Sequence, residues 1–158
     1  VRPPYVVRTY YVPQSLNKVT ITGGKILRDA FANCNMISSI ILPKGITNIG
    51  MDAFASCTSL TSIEIPNSVI SIDFTAFYNC SSLTSITIPN SVTSIESGAF
   101  SGCSSLTSVI FENTSGWWYA DSSTATSGTK ISESDLANHF TAATYLTSNY
   151  VWHYWKRS

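Results

Sequence analysis

Residues 57–79 read CTSLTSIEIPNSVISIDFTAFYN, and residues 80–102 follow as CSSLTSITIPNSVTSIESGAFSG. Upstream, residues 34–56 give CNMISSIILPKGITNIGMDAFAS. The shared pattern is C-x-x-Φ-x-x-Φ-x-Φ-P-x-x-Φ-x-x-Φ-x-x-x-A-F, with Φ aliphatic. Its cysteines, Cys34, Cys57, Cys80 and Cys103, are each separated by 23 residues. The aliphatic columns are Ile37/Leu60/Leu83/Leu106, Ile40/Ile63/Ile86/Val109, Leu42/Ile65/Ile88, Ile46/Val69/Val92 and Ile49/Ile72/Ile95, with Phe111 continuing the third. Ala30, Ala53, Ala76 and Ala99 precede Phe31, Phe54, Phe77 and Phe100. A single coil of this length cannot bury its own apolar face, but stacked coils cover one another. The pattern therefore predicts an α/β solenoid of about four coils of 21–23 residues, with a parallel strand ladder and a small aromatic-rich C-terminal cap.

Within a coil, the alternation Leu60-Thr61-Ser62-Ile63-Glu64-Ile65 predicts a short strand with Ile63 and Ile65 inward. Pro66-Asn67-Ser68 turns the chain, because proline lacks a ladder donor and fixes its own φ. Val69 and Ile72 re-enter the core, and Asp73–Phe77 is too short to hold a helical turn without packing. An earlier, shorter unit runs through Leu16, Val19, Ile21, Ile26, Ala30 and Phe31, with Gly23-Gly24 predicted as a tight turn. Residues 1–15 lack the pattern. Their Val6, Val7, Tyr10, Tyr11 and Val12 predict one edge strand, and Pro3, Pro4 and Pro13 suit an edge or linker.

The chain has 158 residues, formal charge zero and 11% charged residues. No Lys/Arg stripe is present to neutralise a phosphate backbone, which argues against nucleic acid as a partner. No run of about 18 apolar residues occurs, so no transmembrane segment is predicted.

The units closely resemble leucine-rich repeats of the BspA-like, treponemal class. Period, proline turn, cysteine position and terminal Ala-Phe all agree, most closely over residues 57–105 and more loosely over 14–111. The resemblance implies a surface-exposed or secreted bacterial protein that adheres to host matrix proteins or other cells. An extracellular or cell-surface location and a host matrix or cell-surface protein partner are its expectations.

If such a protein uses its repeats, the outward strand positions form the recognition face. One column is Lys18, Ser39, Ser62, Ser85 and Ser108. The next is Thr20, Ile41, Glu64, Thr87 and Ile110, whose two aliphatics and one acid suit an extended protein partner. The alternative is a solvated, Thr-rich sheet whose partner binds elsewhere or on further repeats. Neither column carries the aromatic and arginine anchors typical of tight interfaces.

Other chemistry finds little support. Cysteines on successive coils lie too far apart for one ion to gather them, since ligands must sit about 2.3 Å from zinc. The expected role is that of buried free thiols acting as small apolar fillers. His139 and His153 are the only histidines, neither belongs to an H-E-x-x-H set, and no G-x-S-x-G elbow exists. Asp29, Asp52, Asp73 and Glu96 are placed on the return side of the coils. The sequence thus predicts a non-enzymatic protein without a cofactor.

Composition changes at Asn113. Trp117, Trp118, Tyr119, Phe140, Tyr145, Tyr150, Trp152, Tyr154 and Trp155 give residues 113–158 a dense aromatic load. Residues 116–119 and 150–155 read as strands. Ser132 or Ser134 can cap a short helix through Ala137, and a second helix can start at Thr141. These boundaries divide the chain into an edge segment (1–15), a solenoid (16–112) and a capping module (113–158). The cap seals the open end after Phe111 and protects a sheet edge. Exposed rings also allow glycan or peptide binding by this module. Asn113-Thr114-Ser115 matches a glycosylation sequon. Two functional classes remain: adhesion through the repeat face, and a structural cap or spacer ending a longer surface protein.

Overall fold

A computed structural model describes residues 17–22 and 25–158. The proposed N-terminal strand, Leu16 and the Gly23-Gly24 turn fall outside the described residues. From Lys18 to Phe111 the chain winds as a solenoid, each coil contributing to two faces. The first face holds β1 (Lys18–Thr20), β2 (Ser39–Ile41), β4 (Ser62–Glu64), β6 (Ser85–Ile88) and β8 (Ser108–Phe111). Every pairing among these strands is parallel, and the partners Ser39↔Ser62, Ile40↔Ile63 and Ile86↔Val109 each lie 23 residues apart. The aligned aliphatic columns are thus aligned in space as well.

The second face was only partly visible in the sequence. Asn48–Ile49 (β3), Ser71–Ile72 (β5) and Ser94–Ile95 (β7) form another parallel ladder, begun by a bridge from Ile26 to Ile49. Ile49 and Ile72 point inward as expected and are fully buried. Two residues are too few to show an alternation, so the pattern revealed their burial but not their pairing.

One buried cluster runs through all the coils. Phe31, Phe54, Phe77 and Phe100 stack face to face, with centroids 5.5, 5.4 and 5.3 Å apart. Each coil also hands backbone bonds to the next. The Phe54 amide donates to Ala76 O and the Phe77 amide to Ala99 O, both at 2.8 Å. These bonds satisfy the polar backbone of a segment too short to be a helix.

The return turns place two columns in the left-handed region. Asp29, Asp52, Thr75 and Gly98 have φ of 56°, 54°, 52° and 70°; Asn33, Ser56, Asn79 and Gly102 have 63°, 59°, 56° and 77°. Asp, Asn and Gly tolerate this region, whereas a β-branched threonine pays for it in strain. Thr75 is held there by a hydrogen bond from its hydroxyl to Asp52 Oδ1.

The thiols are unbridged, and Cys57, Cys80 and Cys103 are buried while Cys34 is half-buried. They do more than fill space. Cys57, Cys80 and Cys103 donate Sγ–H to the carbonyls of Phe31, Phe54 and Phe77 at 3.2, 3.1 and 3.1 Å, satisfying acceptors of the coil below.

The cap begins with β9 (Trp117–Ala120) and β10 (Thr129–Lys130), followed by α1 (Glu133–Ala137) and α2 (His139–Thr144). A π-helical turn over Tyr145–Asn149 leads into β11 (Tyr154–Arg157). β11 pairs antiparallel with β7 on one side and β9 on the other, giving the sheet order β10-β9-β11-β7-β5-β3. The cap therefore covers a solenoid edge, as expected of a terminal module.

Two local readings need correction. Residues 150–153 are not strand, because Val151 and Trp152 spend their carbonyls on the Gly98 amide (2.7 Å) and the Ser97 hydroxyl (2.8 Å) instead of a ladder. The second helix starts at His139 rather than Thr141, since Asn138 Oδ1 accepts from the Thr141 amide at 3.0 Å and caps it. Ser132 occupies the cap position of α1 without a side-chain capping bond; its hydroxyl pairs with that of Ser134.

Candidate functional site

The outward strand columns reach solvent unequally. Lys18, Thr20, Ile41, Ser62, Glu64, Ser85 and Ile110 are exposed, whereas Ser39, Thr87 and Ser108 are half-buried. Ile41 is 48% and Ile110 37% exposed; Leu27 and Ile70, at 64% and 50%, are the other exposed aliphatics of the described coils and lie outside this column. Ile41 and Ile110 are not adjacent: Glu64 and Thr87 separate them along the column.

At the C-terminal ends of these strands the surface is concave. A groove of about 570 Å³ is lined by Ile41, Glu64, Lys44, Pro66, Asn67 and Ser68. A second, of about 390 Å³, continues across Glu64 and Asn67 to Thr87, Pro89 and Glu112. Glu64 and Asn67 belong to both, so the two form one trough running across the coils.

The smaller of the two grooves lies beside a break in the strand ladder. β1-β2-β4 make one hydrogen-bonded sheet and β6-β8 another, so the single continuous ladder predicted from the repeat is divided between β4 and β6. Just ahead of β6, the Thr84 amide still reaches Thr61 O at 3.3 Å. Further along, Ile63, Glu64 and Ile65 line the second groove together with Thr87 and Pro89.

Strand alternation identified Ile41, Glu64 and Thr87 but missed Lys44, Asn67 and Glu112. These come from the turn that follows each strand, and their signal was the proline column: a side chain just after the turn overhangs the strand end. They bring charge of both signs to the trough, with Lys44 toward the early coils and Glu112 toward the last. Glu112 Oε2 accepts from the Asn90 amide at 2.9 Å, which fixes that end. Lys18, Thr20, Ser39, Ser62, Ser85, Ser108 and Ile110 do not line these two grooves.

The return-side carboxylates are structural. Asp73 accepts from Ser71 Oγ at 3.0 Å and Asn48 Nδ2 at 3.1 Å, and Glu96 accepts from Ser94 Oγ at 3.0 Å. Among the described residues no group of three or more His, Cys, Asp or Glu side chains is placed to hold a metal ion. Burial pushes the Cys34 and Cys57 thiols up, and the neighbouring Cys103 together with burial pushes Cys80 up, so these are poor nucleophiles at neutral pH. The sequon side chain is also committed. Asn113 Nδ2 donates to Asn90 Oδ1 at 3.1 Å, while its own Oδ1 accepts from the Ser115 amide and hydroxyl at 2.9 and 2.8 Å.

The aromatic load of the cap divides in two. Trp117 and Trp155 are each 1% exposed and close over Phe111, at 5.2 and 6.2 Å between centroids. Their indole N–H groups donate to Asn113 O and Tyr150 O, so the burial leaves no orphan donor. Arg157 lies over the Trp117 ring at 5.9 Å and donates to Asn90, tying the last strand to a proline turn. The remaining rings stay partly open: Tyr119, Tyr145 and Tyr150 are half-buried, and Trp152 and Phe140 are exposed.

Residues 11–145 match the sequence pattern of the BspA type leucine rich repeat region in six copies. That match extends past the last coil into α2. Three solved structures share the fold. A leucine rich repeat protein of T. pallidum is 32% identical, with a TM-score of 0.58 over 60% of this chain and 47% of its own. A leucine rich cell surface protein of Faecalibacterium prausnitzii is 32% identical, with a TM-score of 0.54 over 61% of this chain and 24% of its own. A leucine-rich repeat protein of Bacteroides capillosus is 29% identical, with a TM-score of 0.55 over 63% of this chain and 79% of its own. The aligned region spans less than half of the first two. No curated protein matches the chain.

Proposed function

This chain belongs to the BspA type leucine rich repeat family, and from that premise we propose that it binds an extended segment of a partner protein along the trough. The observation that carries the reading is a trough that crosses the coils past an exposed aliphatic side chain. Its larger groove lies between β2 and β4, where the exposed Ile41 pairs with Glu64, and its smaller groove lies beside the break in the ladder between β4 and β6. An apolar contact at Ile41, flanked by Lys44 on one side and Glu64 and Glu112 on the other, selects a partner by charge order as well as by burial. The trough has no aromatic lining, so affinity is expected to be modest for a single site and to rise through multivalent display.

The proposed setting is extracellular or on the cell surface, with a host matrix or cell-surface protein as partner and adhesion as the outcome. Support comes from the family and from the Faecalibacterium relative, a cell surface protein. The test is a binding screen of the purified chain against immobilised matrix proteins, repeated with Ile41→Ser and Glu64→Ser. Both substitutions are expected to weaken the strongest interaction about ten-fold while the circular dichroism melt is unchanged. Absence of binding to any member of the panel favours a structural spacer instead.

A further inference from the structure

Away from the trough, on the cap, Tyr119 and Tyr150 stack with centroids 4.1 Å apart, and Tyr145 stands nearly perpendicular to Tyr150 at 4.9 Å and 70°. Together they form two walls of a corner. The corner opens into a pocket of about 170 Å³, completed by Asp135, Thr129 and Lys130. We propose that this pocket is a saccharide site, taking one pyranose ring at the end of a glycan.

Size sets the class first. Sites for drug-sized ligands run from about 300 Å³ upward; this one is smaller and suits a single ring. Chemistry sets it second. Ring faces and edges of tyrosine present apolar area to the C–H face of a sugar while their hydroxyls reach its oxygens. Thr129 supplies a hydroxyl and Lys130 a cationic donor. Asp135 spends Oδ2 on the Tyr145 hydroxyl at 3.0 Å, yet a carboxylate has about four acceptor positions, leaving capacity for sugar hydroxyls.

The polar groups also hold one state. The hydrogen bond to Asp135 pushes the Tyr145 phenol up, and the neighbouring Tyr119 hydroxyl pushes Tyr150 up, so both stay neutral at ordinary pH. An aromatic corner with an acid also resembles a cage for quaternary ammonium groups. Lys130 at the rim and the close stacking of Tyr119 on Tyr150, which hides one face of each ring, argue for the neutral ligand. The three tyrosines back onto the core, Tyr150 edge-on to Trp155 at 6.5 Å, so the seal holds the corner in place and leaves its outer side open.

The test titrates the full chain with methyl glycosides of glucose, galactose, mannose and N-acetylglucosamine, read by saturation-transfer NMR. At least one is expected to saturate with a Kd of about 1 mM, the scale set by a ligand of this few atoms. Asp135→Asn and the exposed Lys130→Ala should each weaken it about five-fold or more, while Ile41→Ser in the trough leaves it unchanged. That last variant separates this site from the repeat-face reading, so either can fail without the other. Three results overturn the proposal: no saturable glycoside, tighter binding of tetramethylammonium than of any glycoside, or binding indifferent to both Asp135→Asn and Lys130→Ala.

Discussion

The solenoid and its cap stabilise one continuous core by opposite means. In the coils, paired residues lie 21 positions apart at the first rung and 23 thereafter, and every pairing is parallel. In the cap, pairings are antiparallel, the helices last five and six residues, and the aromatic contacts do not repeat. Repetition propagates a core but has no means of ending one, since the last coil presents the same unfilled face as the first. Ending it requires large, non-repeating side chains, and here two tryptophans close over Phe111 while β11 covers the β7 edge.

The sharpest way to break this comparison is to remove one side of it. Deleting residues 114–158 uncovers Phe111, Val109 and the β7 edge together, so the truncated chain is expected to aggregate or unfold, as size-exclusion chromatography and circular dichroism will show. A truncation that remains a folded monomer would make the C-terminal region an independent binding module. Trp155→Ala asks the same of one side chain. It is expected to lower unfolding free energy in urea by about 4 kcal/mol, the scale of a buried aromatic lost from a packed core.

Glycine substitutions sharpen the junction. Gly98 and Gly45 both have positive φ, at 70° and 98°. A Cβ on Gly98 would sit 2.6 Å from a Trp152 ring carbon, whereas one on Gly45 meets nothing within 4 Å. Gly45→Ala is expected to cost about 1 kcal/mol from backbone strain alone, and Gly98→Ala about 2 kcal/mol. The difference isolates how tightly cap and coil meet, and equilibrium urea melts measure it.

Alkaline titration reads the coil interior. Cys34, Cys57 and Cys80 have folded-state values raised above 9.0, so the folded chain holds protons that the unfolded chain has already released. Stability is therefore fully present below about pH 9 and falls as pH rises above it. A melting temperature flat between pH 6 and 8 and declining beyond about pH 9 is expected; Cys57→Ala should reduce the decline. At the small end, Ile41→Ser and Glu64→Ser should change stability by less than about 0.5 kcal/mol, as surface positions do.

How much of this was legible follows the same division. The inward columns were readable because one register repeats and any error would recur three times; Ile63, Ile86 and Val109 are buried as aligned. The second ladder was hidden by its length, since Asn48–Ile49 offers no alternation to detect. The left-handed columns carried a signal in retrospect: Asp, Asp, Thr, Gly and Asn, Ser, Asn, Gly favour turns, but no position is invariant. In the cap, Tyr150–His153 has the composition of a strand, and only the donors at Ser97 and Gly98 reveal why it turns instead. The trough was half visible. Outward alternation marked Ile41 and Glu64, while Lys44 and Glu112 enter from turns whose overhang depends on how coils stack.

Native-state hydrogen exchange tests most directly whether coils and cap share one cooperative interior. The amides to follow are Phe54 and Phe77 within the stack, and Gly98 and Arg157, which donate across the junction to Val151 O and Thr93 O. If the core is continuous, all four exchange through the same global opening and share one free energy and one urea dependence. Exchange of Gly98 and Arg157 through a smaller, local opening, with Phe54 and Phe77 still protected, would contradict it.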